Sequence, residues 1–429
     1  MEKTVIERKG GLKGEVTVPG DKSISHRAVI IGSLAKGKTR IIEPSRGDDN
    51  LRTLNAFRMM GIEVDEPKVD QLIINGRGLY GLTEPEDVID AGNSGTTVRL
   101  LTGLLTGQRF FSVITGDRYL RKRPMKRVVE PLSSMGAKIW GRENGNFAPL
   151  AINGTRLNPI DYVSPIASAQ VKSAILLAGL YADGVTKITE PSLSRDHTER
   201  MLRFFGANLK RKDNSVSIAG GSNLEGRELE IPGDISSAAF FIVAALIIPN
   251  SEVFLKRVGV NPSRTGILEV LKKMGANIQL LNEYETWGEP VADILVKTSR
   301  LKGTKIDGDL IPKTIDELPI LSLAASVAEG DTVIKDAKEL RVKETDRIKA
   351  VASELKKFGA EVEEFDDGMR ISGKDKLMGC NCQSFGDHRI AMSLIIAGLM
   401  ASGKTVVEDT SCIGTSFPEF RDKLFSLIQ

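Results

Sequence analysis

Cysteine is scarce here, with Cys380, Cys382 and Cys412 the only three among 429 residues. An odd number in so long a chain argues against a disulfide scaffold. Cys380-Asn-Cys382 lacks the two-residue gap of a zinc knuckle, and His26, His197 and His388 are the only imidazoles; no structural metal is expected. Aromatic residues make up 5%, and 59 basic against 56 acidic side chains leave a net charge of +3. Tracking a nucleic-acid backbone requires a strongly basic face, and bases need stacking platforms, so both figures count against that class. The longest unbroken apolar run, Ala238 to Ile248, has 11 residues, short of the roughly 18 or more of a membrane span. The first ten residues alternate charged and apolar side chains without the apolar stretch of a secretory signal. The reading is of a folded cytoplasmic protein, monomeric, with neither membrane nor nucleic acid as partner. At about 100–200 residues per domain its length implies about two to four domains.

What the chain does have is a repeat. Ser25 to Gly37, Ser94 to Gly107, Ala169 to Gly184, Ser236 to Asn250, Asp316 to Gly330 and Asp387 to Gly403 each start polar, run through Ala, Leu, Ile and Val, and stop at Gly or Asn. Their end points are 70, 77, 66, 80 and 73 residues apart, a period that holds several secondary elements. Between them lie amphipathic helices such as Met125, Val128, Val129, Leu132, Met135, with apolar residues at helical spacing. Five of these end alike, in Met60-Gly-Ile, Met135-Gly-Ala, Phe205-Gly-Ala, Met274-Gly-Ala and Phe358-Gly-Ala, because Gly accepts the left-handed conformation that closes a helix. The sixth, Phe417 to Leu427, reaches the last residues, and the strand it lacks is available at Val5 and Ile6. The first and last segments are therefore expected to pair.

The expected fold is α/β (α+β), built from six βαβαββ-like units in two domains of three. Within each, the fully apolar inner helix is buried and the half-apolar outer one faces water. Val18-Pro-Gly-Asp21 and Ile231-Pro-Gly-Asp234 are matching turns ahead of inner helices and mark the crossings. One domain is placed at 20–233 and the other at 1–19 plus 234–429, the double crossover forming a hinge.

Gly32 to Thr39 and Gly398 to Thr405 both fit G-x-x-x-x-G-K-[ST], but a phosphate loop leads into a helix N-terminus, where free amides and the positive dipole end meet the anion. These segments follow helix ends and are read as caps. Gly76 to Gly81 fits the dinucleotide fingerprint, yet Leu-Thr-Glu-Pro follows in place of a helix, so it is read as a loop. The opposite, N-terminal ends of the inner helices carry Lys22, Arg27 and Arg389 beside capping Ser, Asn and Asp. Caps explain the neutral and acidic residues. A cation there opposes a pole equivalent to roughly +0.5 charge, so a bound anion is expected. Arg118 to Arg127 and Arg341 to Arg347 lead into outer helices at matching places and add Arg123, Lys343 and Arg347 to that set.

Pro19-Gly-Asp-Lys-Ser-Ile-Ser-His-Arg27, Gly92-Asn-Ser-Gly-Thr96, Arg123-Pro-Met125, Arg341-Val-Lys-Glu-Thr-Asp-Arg347 and Asp387-His-Arg389 together resemble the signatures of the 3-phosphoshikimate 1-carboxyvinyltransferase (EPSP synthase) family, along the whole chain. The resemblance implies two domains with inner helices aimed at an interdomain cleft. It also implies transfer of an enolpyruvyl group from phosphoenolpyruvate to the 5-hydroxyl of shikimate 3-phosphate, with no metal or cofactor. Carried over by motif, shikimate 3-phosphate falls to Lys22, Ser23, Arg27, Ser168, Gln170, Ser194, Arg195, Asp316 and Lys343. Phosphoenolpyruvate falls to Lys22, Asn93, Gly95, Arg123, Gln170, Arg347 and Arg389, with His388 as a further candidate. Asp316, Glu344 and Lys22 are the candidates for proton transfer. Ala169 and Ser194-Arg195-Asp196-His197 resemble the subgroup associated with weaker glyphosate inhibition. Thr415 and Glu339 stand where other members carry a lysine and an asparagine. The alternatives are the related enolpyruvyltransferase acting on UDP-N-acetylglucosamine, whose reactive cysteine has no counterpart in residues 110–123, and a nucleic-acid binding protein of related architecture.

Overall fold

The computed structural model describes residues 2–7 and 10–429. Inner and outer helices alternate along it: α1 Lys22–Leu34, α2 Asp48–Met59, α3 Gly95–Leu105, α4 Lys126–Ser134, α5 Ala169–Gly179, α6 His197–Phe204, α7 Ile235–Ile247, α8 Gly266–Lys273, α9 Leu318–Ala325, α10 Arg347–Lys357, α11 His388–Met400 and α12 Phe420–Ser426. Odd numbers are the inner set. In α7 every residue from Ile235 to Leu246 is buried, and each large apolar side chain so enclosed contributes roughly 1.5–3 kcal/mol. Outer α4 buries only Val128, Val129, Pro131 and Leu132, the one-sided burial its spacing predicts.

Five outer helices close identically. Gly61, Gly136, Gly206, Gly275 and Gly359 have φ between 82° and 101°. The amide after each glycine reaches back to a helix carbonyl, as in Ile62 to Phe57 at 3.0 Å and Ala207 to Leu202 at 2.8 Å. This Schellman closure satisfies carbonyls that the helix end leaves open. The residue before each glycine is at most 1% exposed, so the turn also pins the helix end to the core. The phosphate-loop look-alikes follow helix ends, as read: α1 and α11 stop at Leu34 and Met400, strands Lys36–Ile42 and Lys404–Glu408 follow, and Gly37 and Gly403 share a φ of 88°.

The chain forms two compact units, one of residues 1–19, 232–285 and 290–429, the other of 20–231 with 286–289. Each has its own apolar core and its own three sheets. In the 20–231 unit each sheet has four strands, with one parallel edge strand and three antiparallel neighbours, as in Ile89–Asp90, Phe111–Thr115, Phe147–Asn153 and Lys138–Gly141. In the other unit the two ends of the chain lie together. Lys3–Glu7 pairs antiparallel with Lys404–Glu408, Val5 opposite Val406, and the Lys13 amide donates to the Leu427 carbonyl at 2.8 Å.

Two details differ from the simple repeat. The strand before α1, Lys13–Thr17, lies parallel to Glu252–Gly259 in the sheet that follows α7, whereas Glu228–Glu230, the strand before α7, lies parallel to Lys36–Ile42 after α1. The repeats thus exchange first strands, which closes each unit on itself. The fifth inner helix begins at Leu318, with Glu317 as N-cap and Pro319 in the first turn, after a separate short helix Leu310–Thr314. Proline fits the first turn, where no amide partner is needed. Asp316 therefore does not cap that helix, and its carboxylate is left for other partners.

Candidate active site

In the 20–231 unit the first turns of α1, α3 and α5 carry the candidates. Asp21 caps α1 by accepting the Ile24 amide at 2.9 Å, and Lys22 next to it forms a 3.0 Å ion pair with Asp49 of α2. Part of the anion expected beside Lys22 is thus supplied by the protein itself. Arg27 is buried one turn on. Its guanidinium donates to the Ser23 carbonyl at 2.8 Å, Ser173 Oγ at 2.9 Å and Thr198 Oγ1 at 2.5 Å, which ties α1 to α5 and α6. His26, fully buried, meets Thr53 at 2.7 Å; Thr53 meets Thr97, and Thr97 meets the α3 cap Ser94, each at 2.7 Å. Burial, then Lys22 and Arg27, push this imidazole well below its ordinary range, so at neutral pH it serves as an uncharged link among three helices.

Asn93, Gly95, Arg123 and Gln170 come together. Arg123 donates to Asn93 Oδ1 at 2.7 Å, and Asn93 Nδ2 in turn donates to Asp117 at 2.9 Å. A methyl group on Gly95 would lie 3.0 Å from Arg123 Nη1, 3.3 Å from Arg99 Nη1 and 4.0 Å from Gln170 Nε2. Any larger residue would press on these guanidinium groups, which would have to shift by a few tenths of an ångström. Arg99 donates to Gln170 Oε1 at 2.5 Å, and Gln170 Nε2 to Thr96 at 3.0 Å, across α3 and α5. Ser168 caps α5 and Ser194 is 4% exposed; Glu190 joins them, accepting the Ser168 amide at 3.1 Å and the Ser194 hydroxyl at 2.6 Å. Arg195 is half-buried beside Ser194. Asp196, His197 and Glu289 bring three possible ligand atoms within 4.8 Å. Arg200 and Arg211 pair with Asp196 at 3.0 and 3.1 Å, and His197 Nδ1 lies 2.7 Å from Glu289. The cluster is thus engaged in internal ion pairs and a hydrogen bond.

In the other unit three candidate cations converge on one carboxylate. Asp316 Oδ1 lies 3.5 Å from Arg347 and 3.9 Å from Lys343, and Oδ2 lies 3.9 Å from Arg389. Arg389 also donates to the Asp316 carbonyl at 3.1 Å. Glu344 lies 2.7 Å from Arg347. Arg347, 1% exposed, holds Asp387 through Nε at 2.8 Å and Nη2 at 3.3 Å, while Asp387 caps α11 through the Arg389 amide at 2.9 Å. Burial works against the Arg347 charge, but Asp387, Glu344 and Asp316 more than offset it and raise its pKa. Lys343 goes the other way. Burial, its largest influence, and Arg347 lower its pKa against the pull of Asp316, Glu339 and Glu344. His388 is 2% exposed at the start of α11.

The sequence matches the family described as EPSP synthase (3-phosphoshikimate 1-carboxyvinyltransferase) over residues 6–424. The chain belongs to the EPSP synthase family. Similar proteins carrying the name 3-phosphoshikimate 1-carboxyvinyltransferase include those of Geotalea daltonii, 63% identical over 95% of each chain, and Geobacter sulfurreducens, 60% identical over 95% of each. A solved EPSP synthase structure from Acinetobacter baumannii superposes with a TM-score of 0.88 at 46% identity, covering 99% of this chain and 98% of that one.

Beside the residues that resemble EPSP synthase signatures stand others the motifs did not single out. Asp49 neutralises Lys22 and Arg99 orients Gln170; Asp387, inside a signature but given no role there, anchors Arg347. Arg99 and Lys172 were open to detection as lone cations inside otherwise apolar inner helices, an arrangement tolerated only when the charge is paired. Asp49 gave no such sign, because acidic residues are ordinary in a first helical turn. Thr415 is half-buried at the end of the turn Thr410–Thr415.

Proposed function

We infer that the protein transfers the enolpyruvyl group of phosphoenolpyruvate to the 5-hydroxyl of shikimate 3-phosphate, releasing phosphate, on the route to chorismate and the aromatic amino acids. The match to the EPSP synthase family across residues 6–424 carries this reading. The chemistry requires a base for the 5-hydroxyl proton, an acid for the methylene carbon, and donors for phosphate and carboxylate groups. The hydroxyl oxygen attacks C2 of phosphoenolpyruvate as C3 takes up a proton. The tetrahedral adduct then loses phosphate and a methyl proton, leaving the enol ether.

In the 20–231 unit Asn93, Gly95, Arg123 and Gln170 form a tight donor cradle suited to phosphoenolpyruvate, since a guanidinium pairs with carboxylate or phosphate through two parallel bonds. Lys22, Ser23, Arg27, Ser168, Ser194 and Arg195 serve shikimate 3-phosphate. Asp316 and Glu344 of the other unit, and Lys22 of the 20–231 unit, are the candidates for proton transfer, and Lys343, Arg347 and Arg389 balance the charge of the ligands. Phosphate release from phosphoenolpyruvate is expected only when shikimate 3-phosphate is present. Release driven by UDP-N-acetylglucosamine instead would favour the related transferase. The finer placement in the less glyphosate-sensitive subgroup rests on Ala169 and Ser194 to His197, and a glyphosate titration in the same assay tests it.

Lys343 gives a pH dependence. A dianionic phosphate beside it favours the ammonium form, so binding is full below the free-state pKa and weakens as pH rises through it. Because that pKa is lowered in the free protein, affinity for shikimate 3-phosphate should begin to fall below the ordinary lysine range. Lys343→Arg should move the fall to higher pH, since arginine stays charged. Calorimetric titrations across the alkaline range check this; identical profiles for both proteins would remove Lys343 from the phosphate.

A further inference from the structure

Lys172 is the one cation in α5, and it is 2% exposed. Its ammonium lies 2.8 Å from Glu190 Oε2 and 2.8 Å from Glu199 Oε1, and donates to the Ser194 carbonyl at 3.3 Å. Burial disfavours the charge, yet the two carboxylates raise its pKa. Apolar side chains of similar volume commonly stabilise a core as well as a buried ion pair does. Stability is therefore a weak explanation for this triad, and the remaining bonds of Glu190 supply another.

Glu190 directly follows the strand Val185–Thr189. One of its oxygens takes both the Ser168 amide, at 3.1 Å, and the Ser194 hydroxyl, at 2.6 Å. The other faces Lys172 and lies 3.5 Å from the Ser194 amide. A carboxylate paired with an ammonium only accepts, so the Ser194 hydroxyl proton is directed to Glu190. Ser168 Oγ accepts the Val171 amide at 3.4 Å, which leaves its own proton for a ligand. One buried carboxylate thus fixes two loops against each other and sets the hydrogen-bond sense of a serine.

We propose that Glu190 is a positioning residue for the shikimate 3-phosphate subsite, acting through Ser168 and Ser194, with Lys172 holding its carboxylate in place. This rests on the reading of those serines as ligands of that substrate. Glu199 touches the same ammonium but neither serine in this network, so it serves as the internal control.

Glu190→Asp retains the charge opposite Lys172 while withdrawing the oxygens by one methylene. Its affinity for shikimate 3-phosphate, measured by calorimetry and as KM, should fall about 10- to 50-fold. kcat and the phosphoenolpyruvate KM should stay within about twofold. Glu199→Gln should leave shikimate 3-phosphate affinity within about twofold although it disturbs the same buried charges. The double variant Glu190→Asp, Ser194→Ala should bind no more weakly than the weaker single, as expected for residues acting as one unit. Unchanged affinity in Glu190→Asp, multiplying losses in the double variant, or equal losses for both substrates in Glu190→Asp and Glu199→Gln would each overturn the proposal. If Glu190→Asp does not yield folded protein, Glu190→Gln is held to the same results. Normal shikimate 3-phosphate affinity in both Ser168→Ala and Ser194→Ala would instead defeat the assignment of the serines, and the proposal with it.

Discussion

Arg347→Met is expected to destabilise the protein by about 3–5 kcal/mol, the usual penalty for removing one partner of a buried ion pair. The guanidinium is 1% exposed and meets Asp387, itself fully buried, at 2.8 and 3.3 Å, with Glu344 at 2.7 Å and Asp316 at 3.5 Å. Without it three carboxylates lose their common counter-charge, and like charges brought together raise one another's pKa. The sign of the pH effect follows. Carboxylates whose folded pKa lies above the unfolded one bind protons more readily when folded, so the variant should regain stability as pH falls, opposite to the usual acid loss. Urea midpoints at neutral and mildly acidic pH read both effects. Arg347→Met combined with Asp387→Asn should recover a large part of the stability, since the uncompensated buried charge is gone, yet remain catalytically poor because the cation is still missing. A loss below about 1 kcal/mol would place Arg347 among surface charges, and full activity in the double variant would end its role at the substrate.

The parts of this fold that were legible in the sequence are those whose cause is local. Five Gly punctuations predicted five helix closures because a left-handed residue after a buried Met or Phe has few other uses. The all-apolar stretch of α7 could only be an interior helix. What escaped depends on distant partners. The turn at Val18 placed residues 1–19 with 234–429, but which strand Lys13–Thr17 joins there, Glu252–Gly259, is shown only by the pairing. Thr286–Glu289 belongs to the 20–231 unit, where Trp287 Nε1 donates to the Glu230 carbonyl at 2.8 Å, and no periodicity announces it. For the candidate site, motif resemblance named the cations, but it could not say that Asp49 and Asp387 already answer two of them. Arg123 is held against Asn93, beside Gly95 and Gln170, where the motif resemblance places phosphoenolpyruvate.

Arg123→Ala is the second large expectation, with a loss of about 2–5 kcal/mol in phosphoenolpyruvate recognition, as for a charge pair desolvated on binding. This corresponds to roughly 30-fold to several thousandfold in kcat/KM. Shikimate 3-phosphate binding measured alone should change little, because Arg123 bonds to Asn93, which is read as a phosphoenolpyruvate ligand. Arg123→Lys should recover only part of the loss, since an ammonium keeps the charge but lacks the planar fork. Gly95→Ala probes the same group from the other side. Its methyl would sit 3.0 Å from Arg123 Nη1, so the guanidinium must give way by a few tenths of an ångström. The expected loss is smaller, about tenfold, again confined to phosphoenolpyruvate. Because Gly95→Ala acts by displacing Arg123, adding it to Arg123→Ala should cost little more, the non-additivity of residues sharing one partner. Losses that multiply would mean that Gly95 protects the approach of the ligand itself. A loss below about 1 kcal/mol for Arg123→Ala would leave its side chain outside the donor cradle.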